Sequence, residues 1–246
     1  MRISFFEEFP TKKNLDKLKL IDWPTTVYVA AKSVKEYEKL IKPYKKKNIT
    51  FGYWPILEKK EGYWLSPFSS AKAVKKTIQD VKRGKRLVMW DAELPFRHPW
   101  LFLRLGYFIK NKVRIKKFFK RYGKKIVTAE YPIKGKFSQW ILTFLSVSFS
   151  PKRYGNKKIV MYYTSMHKGY SWLLLKQIKN LHRKYGKDLH VGLGTIATGI
   201  LGDGPILKRE NLERDLKTMK KIGISEVVIF RLGGLNKKYI KTLQNY

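Results

Sequence analysis

Short apolar runs and amphipathic segments alternate along the chain. The apolar runs are rich in Val, Ile, Tyr and Phe and are too short for buried helices, so they predict strands. These runs cover 3–6, 26–30, 49–57, 86–90, 125–131, 158–164, 189–196 and 226–232. The segments between them show the three-to-four-residue apolar spacing of helices that bury one face. The pattern therefore predicts eight consecutive strand–helix units.

Helix-capping residues support this division of the chain. Residues of N-cap type precede several of the amphipathic segments: Ser33, Ser69 or Ser70, Asn211 and Asn236. Gly84 and Gly223 stand where helix C-caps are expected. Capping residues at both ends of a periodic segment indicate a helix that begins and ends nearby.

Strict alternation of strands and helices predicts an α/β protein with a parallel sheet. Eight units in 246 residues are the number that closes a (β/α)8 barrel. An open doubly wound sheet is the alternative, but no G-x-G-x-x-G motif follows the first strand. Because no linker rich in Pro, Gly or Ser interrupts the pattern, we expect residues 1–246 to form one domain.

Composition excludes several classes of protein. The chain carries 54 Lys and Arg against 18 Asp and Glu, a formal charge of +36, yet 43% of its residues are hydrophobic and 15% are aromatic. A disordered polycation would lack so much apolar material. The absence of Cys excludes disulfides, thiolate metal sites and Cys nucleophiles. With neither a signal peptide nor an apolar run of about 18 residues, we expect a cytoplasmic protein.

The few acidic residues are concentrated at one end of the predicted strands. Eight of the 18 stand at or just after a strand's C-terminal end: Glu7, Glu8, Glu58, Glu61, Asp91, Glu93, Glu130 and Asp203. In a (β/α)8 barrel these ends form the catalytic face. Asp91, Glu93 and Glu130 continue apolar strands, where an unpaired carboxylate is costly to bury. We therefore predict these three as catalytic residues.

The spacing of Asp91 and Glu93 sharpens this prediction. Side chains two residues apart on a strand point to the same side, about 7 Å apart along it. Two such carboxylates repel, which raises one pKa and favours a division into acid and base. The alternative is a buried ion-pair network, for which Arg231 at the end of strand 8 is the natural partner. In a functional site, Arg231 would instead bind an anionic or polar substrate group.

Aromatic residues gather at the same strand ends. Flat Trp and Tyr rings beside carboxylates suit the binding of sugars, because their faces are apolar and their edges form hydrogen bonds. Tyr53 is also a candidate for the core, and His167 follows strand 6 closely enough to border a pocket. The predicted substrate-binding set is Glu7, Tyr53, Trp54, Trp64, Tyr131, Tyr162, Tyr163, His167 and Arg231.

Two segments resemble a known family. The sequence VMWDAELP, with Asp91-x-Glu93-x-Pro95, resembles the end of the catalytic strand of chitinase-like glycoside hydrolases, and VMYYTS resembles their M-x-Y segment. The resemblance implies the same barrel, with Glu93 as the general acid that protonates the glycosidic oxygen. It also implies that Asp91 orients an N-acetyl group acting as internal nucleophile, with Tyr162 or Tyr163 bonded to that group.

Other chemistries remain open at this stage. A two-carboxylate glycosidase would need Glu130 or Glu7 as the second carboxylate. We expect no cofactor, but the same acids, Asp91 and Glu93 with Glu130 and Glu7, form an alternative Mg²⁺ site. The glycine-rich loops after strands 7 and 8 would then bind a phosphate ester beside Arg231. The substrate is therefore expected to be a glycan or an anionic small molecule.

Positive charge is concentrated in one part of the chain. Residues 94–187 contain 23 Lys and Arg and a single acid, Glu130. One interpretation is that these residues form solvated helix faces, although such faces normally carry matching acids; the other is an anionic partner. Nucleic acid would bind through its phosphates, but no nucleic-acid motif accompanies the charge. We favour a peripheral contact with an anionic membrane, because the basic runs adjoin two strongly apolar helical segments, 98–110 and 137–150.

Overall fold

The strands form a closed parallel barrel. The computed structural model describes residues 1–84, 86–94, 105–132, 135–166, 169, 171–200, 202 and 204–246. Its strands pair in chain order and close between the first and the last. They are β1 (Arg2–Glu7), β2 (Thr25–Ala31), β3 (Ile49–Pro55), β4 (Val88–Asp91), β5 (Ile126–Glu130), β6 (Lys157–Met161), β7 (Leu189–Gly194) and β8 (Glu226–Phe230). The predicted α/β class and single (β/α)8 barrel are confirmed.

Helices in the described part of the chain surround this barrel. They are α1 (Lys12–Leu15), α2 (Val34–Ile41), α3 (Ala71–Lys82), α4 (Leu105–Tyr122), α5 (Gly135–Phe144), α6 (Pro151–Tyr154), α7 (Ser171–Tyr185), α8 (Arg209–Ile222) and α9 (Lys237–Leu243). None of the helices described has the length and apolarity needed to cross a bilayer.

Side-chain caps begin several of the helices as predicted. Ser33, Ser70 and Asn236 each accept a hydrogen bond from a backbone N–H in the first turn. Gly223 ends α8 in the left-handed conformation, with φ +88°. These caps satisfy backbone groups that have no partner inside the helix.

The predicted start of α8 at Asn211 is wrong. The N-cap is instead Lys208, three residues before Asn211; its backbone is extended and its side chain makes no capping hydrogen bond. The buried Leu207, whose N–H donates to Thr195 O at 2.6 Å, fixes where the chain turns into the helix. Tertiary packing thus overrides the preference of Asn for the cap.

Several predicted strands are longer than the observed ones. β3 and β5 to β8 end one to three residues before their predicted bounds. Residues just beyond these ends, such as Leu57, Ile196 and Leu232, are buried in the loops at the barrel mouth. An apolar residue that packs into a loop cannot be distinguished by hydrophobicity from one that continues a strand.

Alternation along the strands divides the core into two layers. The larger layer lies between barrel and helices and includes Phe5, Trp90 and Leu216. The smaller layer fills the lumen: Phe6, Tyr28, Ala30, Trp54, Met89, Val127, Ala129, Ile159 and Val228. Because successive strand residues face opposite sides, these lumen residues show which side chains point towards the barrel axis.

Candidate active site

β4 directs two carboxyl groups into the barrel mouth. Met89 belongs to the lumen layer and Trp90 to the layer beneath the helices. By the same alternation, Asp91 and Glu93 lie on the inward side. Asp91 is buried, whereas Glu93 is partly exposed. Glu93 is therefore the member of the pair that is nearer to solvent.

The two carboxyl groups form a hydrogen-bonded pair. Burial is the main cause of the raised pKa of both groups, and the nearby charge of Glu8 adds to the effect. The charge of Glu93 also raises the pKa of Asp91. Asp91 donates to the Glu93 carboxylate, and this bond raises the pKa of Asp91 and lowers that of Glu93. The net result raises the pKa of Glu93 to about 7 and that of Asp91 well above its ordinary range. The pair consequently retains a proton near neutral pH.

Tyr131 supports the outer end of this pair. Its hydroxyl donates to Glu93 Oε2 at 2.9 Å, which favours the charged form of Glu93 and lowers its pKa. Burial and the charge of Glu8 thus raise the pKa of Glu93, whereas the hydrogen bonds from Tyr131 and Asp91 lower it.

A third inward carboxylate comes from β1. Glu8 is buried, and Tyr63 Oη donates to its Oε1 at 2.9 Å. The Ile200 N–H donates to its Oε2, also at 2.9 Å. Burial is the main cause of the raised pKa of Glu8. Sequence reasoning noted this residue as a strand-end acid but predicted its neighbour Glu7 for the site.

Glu7 points to the opposite side of β1, where it binds Arg231. Arg231 Nη1 donates to Glu7 Oε1 at 3.0 Å, and the Gly233 N–H donates to Oε2 at 2.6 Å. Arg231 Nε also donates to Thr198 O at 2.9 Å. Arg231 thus forms its ion pair with Glu7, whereas the alternative drawn from the sequence paired it with Asp91 and Glu93. Within the part of the chain described, neither Arg231 nor a lysine pairs with Glu93.

Glu130 does not join the carboxyl pair, which corrects the expectation that it supplies a further catalytic carboxylate. Ala129 is in the lumen layer, so Glu130 faces the helices. Lys158 Nζ lies 2.7 Å from its Oε2, and both side chains are buried. Thr128 Oγ1 and the Phe149 N–H donate to Oε1 at 2.7 and 3.0 Å. This carboxylate is a saturated structural group between β5 and β6.

Three of the predicted aromatic residues lie around the carboxyl groups. Trp54 is in the lumen layer, where its indole N–H favours the charged form of Asp91. Among the atoms described, Trp54 Nε1 and Asp91 Oδ1 are buried without a hydrogen bond of normal geometry. Tyr163 packs against Phe230, with ring centroids 6.0 Å apart; burial raises its pKa, and the charges of the nearby acids raise it further. Tyr131 is the third.

Trp64 packs against Tyr63, whose hydroxyl donates to Glu8. The two rings meet edge to face, with centroids 5.4 Å apart, and Trp64 is partly exposed. The binding set predicted from the sequence did not include Tyr63. The structure gives it a direct hydrogen bond to a site carboxylate.

Two predicted tyrosines face away from the lumen, which corrects their placement in the pocket. Tyr53 packs against Tyr37 of α2, with ring centroids 5.2 Å apart. Tyr162 Oη donates to Ser171 O at 3.4 Å, at the start of α7. Both belong to the layer between barrel and helices. His167 and Asp203 lie outside the described residues.

The carboxylates do not assemble into the alternative Mg²⁺ site. Among the residues that the structure describes, no group of three or more His, Asp or Glu has an arrangement that would hold a metal ion. The glycine-rich loops use backbone donors for carboxylates, since Gly233 N–H binds Glu7 and Ile200 N–H binds Glu8. These two donors are therefore already engaged within the chain.

Comparison with known proteins identifies the fold. No protein-family model and no curated protein matches the chain. The PgaB (BpsB) glycoside hydrolase domain from Bordetella bronchiseptica is 11% identical, with 99% of this chain and 96% of that chain covered and a TM-score of 0.55. The C-terminal domain of a putative chitinase from Desulfitobacterium hafniense DCB-2 is 9% identical, with 99% and 97% covered and a TM-score of 0.58.

A protein of different chemistry is equally similar. D-allulose 3-epimerase from Methylomonas sp. is 9% identical, with 100% of this chain and 97% of that chain covered and a TM-score of 0.54. The barrel implied by the chitinase-like resemblance is confirmed, and glycoside hydrolase and chitinase domains are among the similar structures. At these identities the likeness shows the fold, while function has to be argued from the site.

Proposed function

We propose that this protein hydrolyses a glycosidic bond in a glycan or glycoconjugate, with Glu93 as the proton donor. The observation that carries the proposal is the hydrogen-bonded pair of Asp91 and Glu93, in which burial raises the pKa of Glu93 to about 7. An efficient general acid has a pKa near the working pH, so that its protonated form is present and its proton is readily transferred. Similarity of fold to glycoside hydrolase domains supports this choice.

The arrangement suggests how the pair would divide the chemistry. Glu93 would transfer its proton to the glycosidic oxygen as the bond to the anomeric carbon breaks, and the departing alcohol would keep that proton. Water would later supply the hydroxyl to the anomeric carbon and return a proton to Glu93. Asp91, held beneath Glu93, would maintain its orientation and buffer the change in charge. The chitinase-like resemblance implies that Asp91 would also orient an N-acetyl group.

Aromatic rings around the acids suit the proposed ligand. Trp54 and Tyr163 border the carboxyl pair from the lumen, and Trp64 offers a partly exposed ring at the mouth. Pyranose rings present C–H faces that pack on such surfaces. The unpartnered Trp54 Nε1 and Asp91 Oδ1 are polar atoms that a sugar hydroxyl or amide would satisfy.

A phosphate-ester hydrolase is less well supported. That function would use backbone donors in the loops after β7 and β8, yet Ile200 N–H and Gly233 N–H already bind Glu8 and Glu7. Arg231, the expected phosphate ligand, is buried against Glu7. These two backbone donors and the Arg231 side chain are thus already bound to the protein's own carboxylates.

The test is glycan hydrolysis by the full chain and two matched variants. Release of reducing ends from chitin and of aryl alcohol from a panel of aryl glycosides would be measured for wild type, Glu93→Gln and Glu58→Gln. Glu58 is an exposed strand-end acid that binds Lys32, outside the carboxyl cluster. We expect Glu93→Gln to lower kcat by about 10² to 10⁴ because it removes the general acid, while Glu58→Gln keeps wild-type activity.

Two results would count against this function. One is a Glu93→Gln variant that is folded, by circular dichroism, and cleaves the same substrate at the wild-type rate. The other is a wild-type protein that releases product from none of these substrates, which would leave sugar binding without cleavage, measurable by calorimetric titration with chito-oligosaccharides.

A further inference from the structure

Exposed apolar side chains are concentrated on one sector of the surface. Of the ten large hydrophobic residues that are exposed in the described part of the chain, eight lie between residues 105 and 172. They are Tyr107, Ile109 and Val113 of α4, Phe137, Trp140 and Phe144 of α5, Met166, and Trp172 of α7. Exposed apolar side chains that are grouped on consecutive strand–helix units mark an interaction site more often than isolated ones do.

The position of this sector is set by the barrel. Helices of a (β/α)8 barrel begin at the end where the strands terminate, which is also the mouth. Tyr107 and Ile109 lie in the first turns of α4, Phe137 in the first turn of α5 and Trp172 in the first turn of α7. Much of the exposed apolar surface is therefore on the mouth side of these helices.

Three rings of α5 form an ordered ridge. Phe137, Trp140 and Phe144 are three and four residues apart, so they share one face of the helix. Neighbouring ring centroids are 6.2 and 5.8 Å apart, and both pairs are inclined by only 19°. The three side chains are 74%, 62% and 50% exposed. We call them the aromatic ridge.

Lysine side chains accompany the ridge. Lys112 of α4 places its Nζ 3.6 Å from the centroid of the Phe144 ring and 5.2 Å from that of Phe108. The exposed face of α4 alternates Ile109 and Val113 with Lys110 and Lys117. This surface therefore combines apolar groups with positive charge.

Residues 94–187, which include α4, α5 and α7, contribute no exposed negative charge to the apolar sector. Residues 94–187 contain 23 Lys and Arg and one acid. That acid, Glu130, is buried and bound to Lys158. The exposed charged side chains that residues 94–187 present to a partner are therefore all positive. A partner that covers the apolar sector would complement them if it carried anionic groups.

We propose that this sector docks on an anionic lipid bilayer. Aromatic and aliphatic side chains would enter the boundary between headgroups and acyl chains while the lysines contact anionic headgroups. Trp140 and Trp172 are residues of the type enriched at membrane interfaces. A nucleic acid would stack on the rings but would gain little from Ile109 and Val113. Docking would bring the mouth close to the bilayer, and it does not depend on the chemistry at Glu93.

Vesicle co-sedimentation of the full chain tests the proposal. The probes are vesicles of phosphatidylcholine alone and of phosphatidylcholine with phosphatidylglycerol. The double variant carries both Phe137→Ser and Trp140→Ser. The control is Leu20→Ser, which replaces a side chain that is 39% exposed and lies outside the sector. We expect wild type and control to sediment with the anionic vesicles only. The double variant should bind about tenfold more weakly, because it exposes less apolar surface for burial.

A charge variant provides the second measurement. Lys110→Glu with Lys117→Glu should also weaken binding, and added salt should weaken the wild type, because the attraction to headgroups is screened. Equal binding of the ridge variant and wild type would overturn the proposal, since attraction would then be electrostatic alone. Failure of wild type to bind anionic vesicles, with or without binding to a homopolymeric RNA, would overturn it as well.

Discussion

The substitution Glu93→Gln should change how stability depends on pH. A carboxyl group whose pKa is raised on folding binds its proton more tightly in the native state than in the unfolded chain. Its stabilising contribution is complete below the unfolded pKa and is lost as pH rises through the folded pKa. For Glu93 these two values are 4.5 and about 7. The glutamine side chain cannot ionise, so the variant avoids this loss.

The size of the effect follows from the two pKa values. A difference of about 2.5 between them corresponds to roughly 3 kcal/mol. As the pH rises from well below 4.5 to well above 7, the unfolding free energy of the variant should therefore increase by roughly 3 kcal/mol relative to that of wild type. Asp91 contributes in the same direction, because removing the Glu93 charge lowers the pKa of Asp91 towards its ordinary value.

Urea unfolding at several pH values measures this change. The quantity of interest is the difference in unfolding free energy between variant and wild type, because titration of groups that the substitution does not affect cancels in it. Glu58→Gln is the control: Lys32 lowers the pKa of exposed Glu58, so its small effect should have the opposite sign. A difference for Glu93→Gln that stays constant across the pH range would refute the raised pKa and remove the basis for Glu93 as a general acid.

Two further substitutions test neighbouring contacts. Tyr131→Phe removes the hydroxyl that lowers the pKa of Glu93, so the alkaline limb of the kcat/KM profile should move to higher pH; an unchanged limb would show that Glu93 does not control it. Lys158→Met leaves Glu130 buried without its cation, which should cost about 3–5 kcal/mol in urea unfolding. Adding Glu130→Gln should recover most of that loss, and a double variant no more stable than the single one would contradict a pairwise role.

Periodicity in the sequence was sufficient to predict the barrel and to place Asp91 and Glu93 on the same side of the chain at the end of β4. Asp91 and Glu93 are two residues apart, so they share a side whichever side that is. Met89 and Trp90 are both large and apolar, so the sequence alone does not say which of the two faces the lumen. The structure resolves this, because Met89 packs in the lumen and Trp90 beneath the helices.

The choice between Glu7 and Glu8 failed for the same reason. Both follow a strand whose inward and outward residues, Phe6 and Phe5, are identical in type, so hydrophobicity does not give the phase. The polar residue Ser4 does distinguish the two sides of this strand, because it lies on the same side as Phe6 and Glu8. In the structure its hydroxyl donates to Glu226 Oε1 at 2.7 Å.

Glu130 illustrates a limit that alternation cannot remove. Its buried cation, Lys158, is 28 residues away, and the two meet only because β5 and β6 pair side by side. Thr128 pairs in register with Lys158, which places that lysine beside the outward face of β5. Hydrophobic periodicity within one strand cannot identify a partner that the register of the neighbouring strand supplies.

The charge of the chain and the pKa values of its site are governed by different surroundings. A formal charge of +36 would be expected to favour ionised carboxylates, yet burial raises the pKa values of Glu8, Asp91 and Glu93. Exposed lysines act through solvent and salt, which screen them over about 10 Å. Desolvation acts at the carboxyl group itself and is not screened. The pKa of Glu93 should therefore be insensitive to salt, whereas added salt should weaken any contact made by the exposed lysines.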